Sequence, residues 1–164
     1  MPGADEEAEA LERGLADLLG ESTVIVCVGN DLCGDDGAGP AVAEALGETV
    51  PWPVVNAQTA PESFLGKIVA HRPRSVVVID ATDFGAAPGT VRRVGGDDVA
   101  GQGPSTHGPA PRAFLDALQM MHSCRTAVVG IQPRRTDPGS EMTPAVREAV
   151  ERVVTAIREL AGTA

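Results

Sequence analysis

A chain of 164 residues with 43% hydrophobic content is long enough for one globular domain with a sizeable core, and residues 1–164 are read as a single domain. The net charge of −10 argues against nucleic acid and anionic membrane surfaces as partners, since both select a basic face, and favours a metal cation or a basic peptide. Cys27, Cys33 and Cys124 are odd in number and lack C-x-x-C spacing, so neither a disulfide framework nor a zinc ribbon is expected.

Met1 to Glu21 is rich in acids and has no basic start followed by an apolar stretch, so it does not read as a signal peptide. Within it, from Glu6 to Leu19, Ala8, Leu11, Leu15, Leu18 and Leu19 recur at helical spacing, and Gly20 ends the helix. Thr23 to Val28 is a β-branched run suited to a central strand buried on both faces. A Gly- and Asp-rich turn and a helix over about Ala38 to Glu48 follow. Trp52 to Asn56 reads as a second strand, with Pro53 favouring its start or a sheet edge. Pro61 opens a helix that buries Phe64, Leu65, Ile68 and Val69.

Ser75 to Asp80 is an apolar strand ending in a carboxylate. Gly89 to Val94 alternates like a short edge strand that returns antiparallel. Asp97 to Pro111 is a long Gly- and Pro-rich loop containing Ser105-Thr106-His107-Gly108, and such loops often wall a site. A helix over Ala113 to Met121 places Phe114, Leu115, Leu118 and Met121 on one face. Thr126 to Ile131 is the last strand. Thr143-Pro144 caps and starts a helix striped by Val146, Val150, Val153, Val154, Ile157 and Leu160. Strands alternating with helices in this way specify a three-layer α/β/α sandwich with a mostly parallel five-stranded sheet and one antiparallel edge. Nothing approaches the roughly 20 apolar residues needed to span a bilayer, and a soluble, cytoplasmic protein is expected.

The chain is organised around Gly29-Asn30-Asp31-Leu32-Cys33-Gly34-Asp35-Asp36-Gly37-Ala38-Gly39-Pro40, which links the first strand to the second helix. Glycine-rich turns of this kind usually cradle phosphate, but Asp35 and Asp36 would repel it, and no Lys-Ser or Lys-Thr pair completes a P-loop. The turn is read as presenting carboxylates, with helix capping by one aspartate as the alternative. Cys33 beside these carboxylates would be a poor nucleophile.

In a sheet of this topology Asp36, Asp80 and His107 come from segments that meet at one crevice. Two carboxylates and an imidazole suit a borderline divalent ion such as nickel or zinc, with positions left open for other ligands. Separate turn-capping and solvent-exposed roles are the alternative. His71 and His122 fall at helix ends, where a favourable dipole contact accounts for each.

Cys27-Val28-Gly29-Asn30 with Gly34-Asp35-Asp36-Gly37-Ala38-Gly39-Pro40, then Val78-Ile79-Asp80-Ala81-Thr82-Asp83 with Pro88-Gly89, then Thr106-His107, then Gly130-Ile131-Gln132-Pro133 resemble the [NiFe]-hydrogenase maturation endopeptidases, formate-hydrogenlyase (HycI) type. The resemblance runs from about Thr23 to the C-terminal helix and leaves the acidic helix of residues 1–21 outside it. It implies an α/β/α sandwich and an aspartic-type peptidase. It further implies removal of a C-terminal extension from a hydrogenase large-subunit precursor once nickel is inserted, with Asp36, Asp80 and His107 binding that nickel. Many members of the family carry an aspartate followed by glycines where this chain has Asn56-Ala57-Gln58-Thr59, so catalysis would fall to Asp36, Asp35 or a metal-activated water.

On this reading nickel arrives with the substrate as Lewis acid or docking point and is not tightly held by the free enzyme. The partner is the precursor, with no nucleic acid and no membrane insertion, and a monomer is the working expectation. A non-catalytic nickel-binding checkpoint or chaperone needs the same ligands, and a nucleotide-binding α/β module is a further alternative. G-x-S-x-G and H-E-x-x-H are both absent, which leaves serine-hydrolase and zincin mechanisms without support.

Overall fold

β-Branched residues fill the centre of the sheet because strands covered by helices on both faces must be apolar on both. The computed structural model describes residues 3–96 and 110–163. Its strands are β1 (Thr23–Val28), β2 (Val54–Gln58), β3 (Ser75–Ala81), β4 (Val91–Gly96) and β5 (Arg125–Ile131), in the order β2-β1-β3-β5-β4. Pairing is parallel except for β4, which runs antiparallel to β5 at the edge. The helices are α1 (Ala4–Leu18), α2 (Ala38–Leu46), α3 (Leu65–Ala70), α4 (Ala110–Met121) and α5 (Pro144–Thr163). The expected sandwich is observed, and β1, β3 and β5 are its adjacent central strands.

Alternation along the strands divides the core in two. Ile25, Cys27, Val77, Ile79, Ala127, Val129 and Ile131 pack with residues of α1, α2 and α5. Val24, Val26, Val28, Val76, Val78 and Val128 pack on the other face with Ile68 of α3 and Phe114 and Leu118 of α4. Phe114 and Leu118 are wholly buried, each worth about 1.5–3 kcal/mol over an exposed side chain. The acidic α1 closes the first face by burying Leu15 and Leu18. Among the described residues no helix is long and apolar enough to cross a membrane.

Several boundaries differ from the sequence expectation. β2 begins two residues later than expected because Trp52 turns inward, where its indole N–H donates to the Gly20 carbonyl at 2.8 Å. Pro53 stands just outside β2, and its carbonyl accepts the Ile25 N–H at 2.9 Å. β4 likewise starts at Val91, since Ala87 to Thr90 close a turn in which the Thr90 N–H and hydroxyl both reach the Ala87 carbonyl. The segment opening at Pro61 is a 3₁₀ turn, Pro61–Phe64, before α3 begins. α4 starts at Ala110, and Pro111 sits in its first turn, where a missing N–H costs nothing. Met121, expected on the buried stripe of α4, is 54% exposed.

Strand order also fixes where a site can form. From β1 the chain crosses through α2 to β2 on one side, then returns through α3 to β3 on the other. The connections therefore diverge between the carboxyl ends of β1 and β3, and a crevice opens there.

Candidate active site

Asp80 is the penultimate residue of β3 at that crevice, aligned with Gly130 of β5. It shares the strand parity of Val76 and Val78 and is 5% exposed. Asp36 arrives from the other side of the crevice in a 3₁₀ turn, Gly34–Gly37, that follows β1 and leads straight into α2. The entry of α2 is possible only because residue 39 is glycine. A Cβ there would overlap the Val28 carbonyl oxygen and lie 2.8 Å from that of Ile79, so α2 rests directly on the ends of β1 and β3.

The two carboxylates are electrostatically coupled. Burial, then the negative charge of Asp36, push the Asp80 carboxyl up to about 8, against a smaller opposing hydrogen bond from the Ala81 N–H. Asp36 is half-buried, and its Oδ2 accepts the Asn30 N–H at 3.1 Å. Asn30 in turn accepts the Leu32 N–H through Oδ1 at 3.0 Å, which closes the turn on itself. Asp36 is thereby oriented by a single backbone N–H.

Asp35 does something different, and it is not a helix cap. Its carboxylate is fully buried and accepts the N–H groups of Arg134 at 2.8 Å, Arg135 at 3.0 Å and Thr143 at 2.6 Å. The Thr143 hydroxyl donates to it as well, at 2.9 Å. Burial pushes the Asp35 carboxyl up, but the donors from Thr143, Arg135 and Arg134 together outweigh it and hold the group below its ordinary value. Neither aspartate caps α2, whose N-terminal position is Gly37 and carries no side-chain cap. Thr143, expected to cap α5, gives its hydroxyl to Asp35 instead. Asp35 has no acceptor capacity left for a water or substrate, so it is a scaffold residue.

Gln132 is a second scaffold residue, missed in the sequence because it lies in a motif without charge. It is 5% exposed, and its Oε1 accepts the N–H groups of Phe84 and Ala86 at 2.8 and 3.2 Å. Its Nε2 donates to Asp83 Oδ1 and the Pro133 carbonyl, both at 3.1 Å. The loop leaving β3 just beyond Asp80 is thereby tied to the loop leaving β5.

Of the three residues expected to share a metal, the crevice brings together Asp36 and Asp80, whereas His107 lies outside the described residues. Among the described residues no group of three or more His, Cys, Asp or Glu is placed to hold a metal ion. A coupled, partly desolvated carboxylate pair nevertheless fits a divalent cation, which would offset both the burial and the repulsion that raise the Asp80 carboxyl. Asn56 is exposed on the edge strand β2, in register with Cys27. Burial drives the Cys27 thiol up to about 12, so it is inert core. His71 ends α3, and His122 follows α4 with its Nε2 hydrogen-bonded to the Pro73 carbonyl at 2.8 Å.

Comparison with known proteins agrees with this architecture. The hydrogenase maturation protease family, HycI, matches residues 40–160, a span that includes Asp80 and His107 and begins after Asp36. The Hydrogenase 3 maturation protease of Escherichia coli K12 is 36% identical over 132 residues, covering 79% of this chain and 85% of that protein. The crystal structure of a [NiFe] hydrogenase maturation protease HycI from Thermococcus kodakarensis KOD1 superposes with a TM-score of 0.74 at 31% identity, covering 91% of this chain and 99% of that one. The solution structure of an endopeptidase HycI from Escherichia coli gives 0.73 at 34% identity, covering 84% and 90%.

Proposed function

The chain belongs to the HycI hydrogenase maturation protease family, and we propose that it is the endopeptidase that removes the C-terminal extension of a [NiFe]-hydrogenase large-subunit precursor after nickel insertion. The observation that carries this reading is the Asp36–Asp80 pair at the divergence of β1 and β3, where Asp80 is buried and feels the charge of Asp36. Nickel is part of the substrate in this scheme. Asp36, Asp80 and His107 complete its coordination, and the scissile bond is thereby docked against the carboxylates. Two carboxylates and one imidazole bind a divalent ion modestly, so substrate thiolates supply much of the affinity.

Hydrolysis then requires an activated water, a polarised carbonyl and a protonated leaving amine. Asp36, half-buried and held by one backbone N–H, is the carboxylate with capacity left to orient a water and accept its proton. With Asp80 on nickel, the proton that Asp36 takes from the water passes on to the leaving amine, so the step balances without a second acid. This makes the chemistry aspartic in type, without the second-strand aspartate whose place Asn56 takes. The precursor is the macromolecular partner, the protease acts as a monomer, and the reaction takes place in the cytoplasm.

The test is one assay with the purified protein and nickel-loaded and nickel-free precursor side by side. A single cut in the loaded precursor alone is expected. Equal cutting of both would remove nickel from the recognition step, and binding of the loaded precursor without any cut would favour a non-catalytic checkpoint.

A further inference from the structure

We propose that the two loops joined through Asp35 form a rigid docking platform that selects the precursor segment entering the crevice, with Leu32 as its apolar contact and Arg134 and Arg135 as its anion-binding contacts. This inference rests on the peptidase reading above and names the specificity-determining side chains of that same site.

The loops of residues 30–37 and 132–143 are joined at successive points. The Gly139 N–H donates to the Leu32 carbonyl at 2.8 Å, the Gly34 N–H to the Ser140 carbonyl at 3.1 Å, and the Asp35 N–H to the Arg135 carbonyl at 2.8 Å. The Asp35 carboxylate answers with the N–H groups of Arg134, Arg135 and Thr143. Gly34 has a φ of +56°, and a Cβ on it would overlap Ser140 Oγ and stand 2.7 Å from the Arg135 carbonyl oxygen. The two backbones therefore pack as closely as backbones do, and the platform is fixed before any substrate arrives.

What this platform shows to solvent is not what a merely structural joint needs. Leu32 is 72% exposed although the backbone on both sides of its side chain is hydrogen-bonded, so an apolar group is held out on a rigid stem four residues before Asp36. The other large exposed apolar side chains among the described residues, Met120 and Met121, lie at the far end of α4 and have no connection to the crevice. Arg134 and Arg135 are exposed, and among the described residues neither has an ion-pair partner. In a chain of net charge −10 this adjacent pair of guanidinium groups, without ion-pair partners among the described residues, is open to an anionic group of a partner. Asp31, Asp137 and Glu141 are exposed on the same loops, so the platform is not a general basic patch. It discriminates by position, with Leu32 against Gly139 and the arginines against Asp35.

The occupant this fits is an extended segment of the precursor carrying an apolar side chain and, near it, a carboxylate that takes the guanidinium pair. Pre-fixing both contacts lowers the ordering cost of docking and keeps the segment aligned with Asp36. A precursor with basic residues in the second position would meet two arginines and be rejected, which is selection by repulsion as well as by attraction.

The test uses the full chain with the combined replacements Leu32→Ser, Arg134→Glu and Arg135→Glu. Two readouts are taken on the nickel-loaded large-subunit precursor, cleavage kinetics and equilibrium binding. The expected result is a KM and a Kd raised by about tenfold or more and a weaker dependence of binding on salt, with kcat within about twofold of the parent. The melting temperature should stay unchanged, because all three side chains are exposed and these three residues enter the joint only through their backbone groups. If the charge-reversed protein is poorly folded, Arg134→Gln with Arg135→Gln decides the matter by the same two readouts. Parent-like KM, Kd and salt dependence in a folded variant would overturn the platform. A parent protein that binds the precursor without cutting it would instead overturn the peptidase reading, and the binding comparison would still decide the platform.

Discussion

Asp35 and Thr143, 108 residues apart in sequence, are joined by both donors of the threonine, its N–H at 2.6 Å and its hydroxyl at 2.9 Å from the buried carboxylate. With the N–H groups of Arg134 and Arg135 on the same carboxylate, this one side chain anchors the loop between β5 and α5 beside the crevice.

Asp35→Asn should therefore destabilise the fold by about 3 kcal/mol or more, because an amide can accept through only one atom and sets an N–H₂ against donors that have no other partner. The carboxyl is held below its ordinary value, so its stabilising share is present above that ordinary value and is lost as pH falls through the lowered one. Urea midpoints of parent and variant should converge in acid and separate towards neutrality. Equal midpoints at pH 7 would show that the bonds contribute nothing.

Asp80 carries the opposite sign. Its carboxyl, raised to about 8, keeps a proton in the folded state that the unfolded chain releases near its ordinary value of about 4. Stability of the metal-free protein should fall as pH rises between these values and level off above the higher one. Asp80→Asn removes that slope and should leave the metal-free protein more stable than the parent at pH 8.5, by on the order of several kcal/mol, while processing is lost. A parent and variant with parallel stability profiles would show that Asp80 is not strained by burial and Asp36.

Asp36→Asn should abolish cleavage yet change stability by no more than about 1 kcal/mol, since Asp36 is half-buried and accepts one backbone bond that an amide oxygen can also accept. The same change lifts the repulsion on Asp80, whose carboxyl titration, followed by carbon-13 NMR, should move down towards the ordinary range. Retained cleavage, or an Asp80 titration that does not move, would separate Asp36 from the site.

His107 lies outside the described residues, and its role stands on the family resemblance. His107→Ala should abolish nickel-dependent processing. In the parent, activity should decline as pH drops through about 6.5, where an unperturbed imidazole gains the proton that blocks ligation. Unchanged processing by the variant would remove His107 from the coordination set.

Much of this protein was legible in the sequence. The near-uniform apolar character of Val24 to Val28, Val76 to Ile79 and Ala127 to Ile131 could satisfy only central strands covered on both faces. The alternation of strands with helical stripes then left few topologies, and the Gly-Asp-Asp-Gly turn marked the crevice. Those are local signals, carried by period and residue type. The division of labour between Asp35 and Asp36 is not local. The two are adjacent and chemically identical, and a turn rich in Gly and Asp looks the same whichever one faces the crevice. The 3₁₀ turn points them apart, and the donors that claim Asp35 come from residues 99, 100 and 108 positions further on. No spacing rule reaches that far. The scaffold role of Gln132 is non-local for the same reason, since its four partners matter only once the loops beyond β3 and β5 lie side by side. Period and composition decide which segments are strands and helices, because burial is a property of each element's own faces. The protonation and duty of a polar side chain depend on which distant backbone groups fold against it, and only the tertiary structure supplies those.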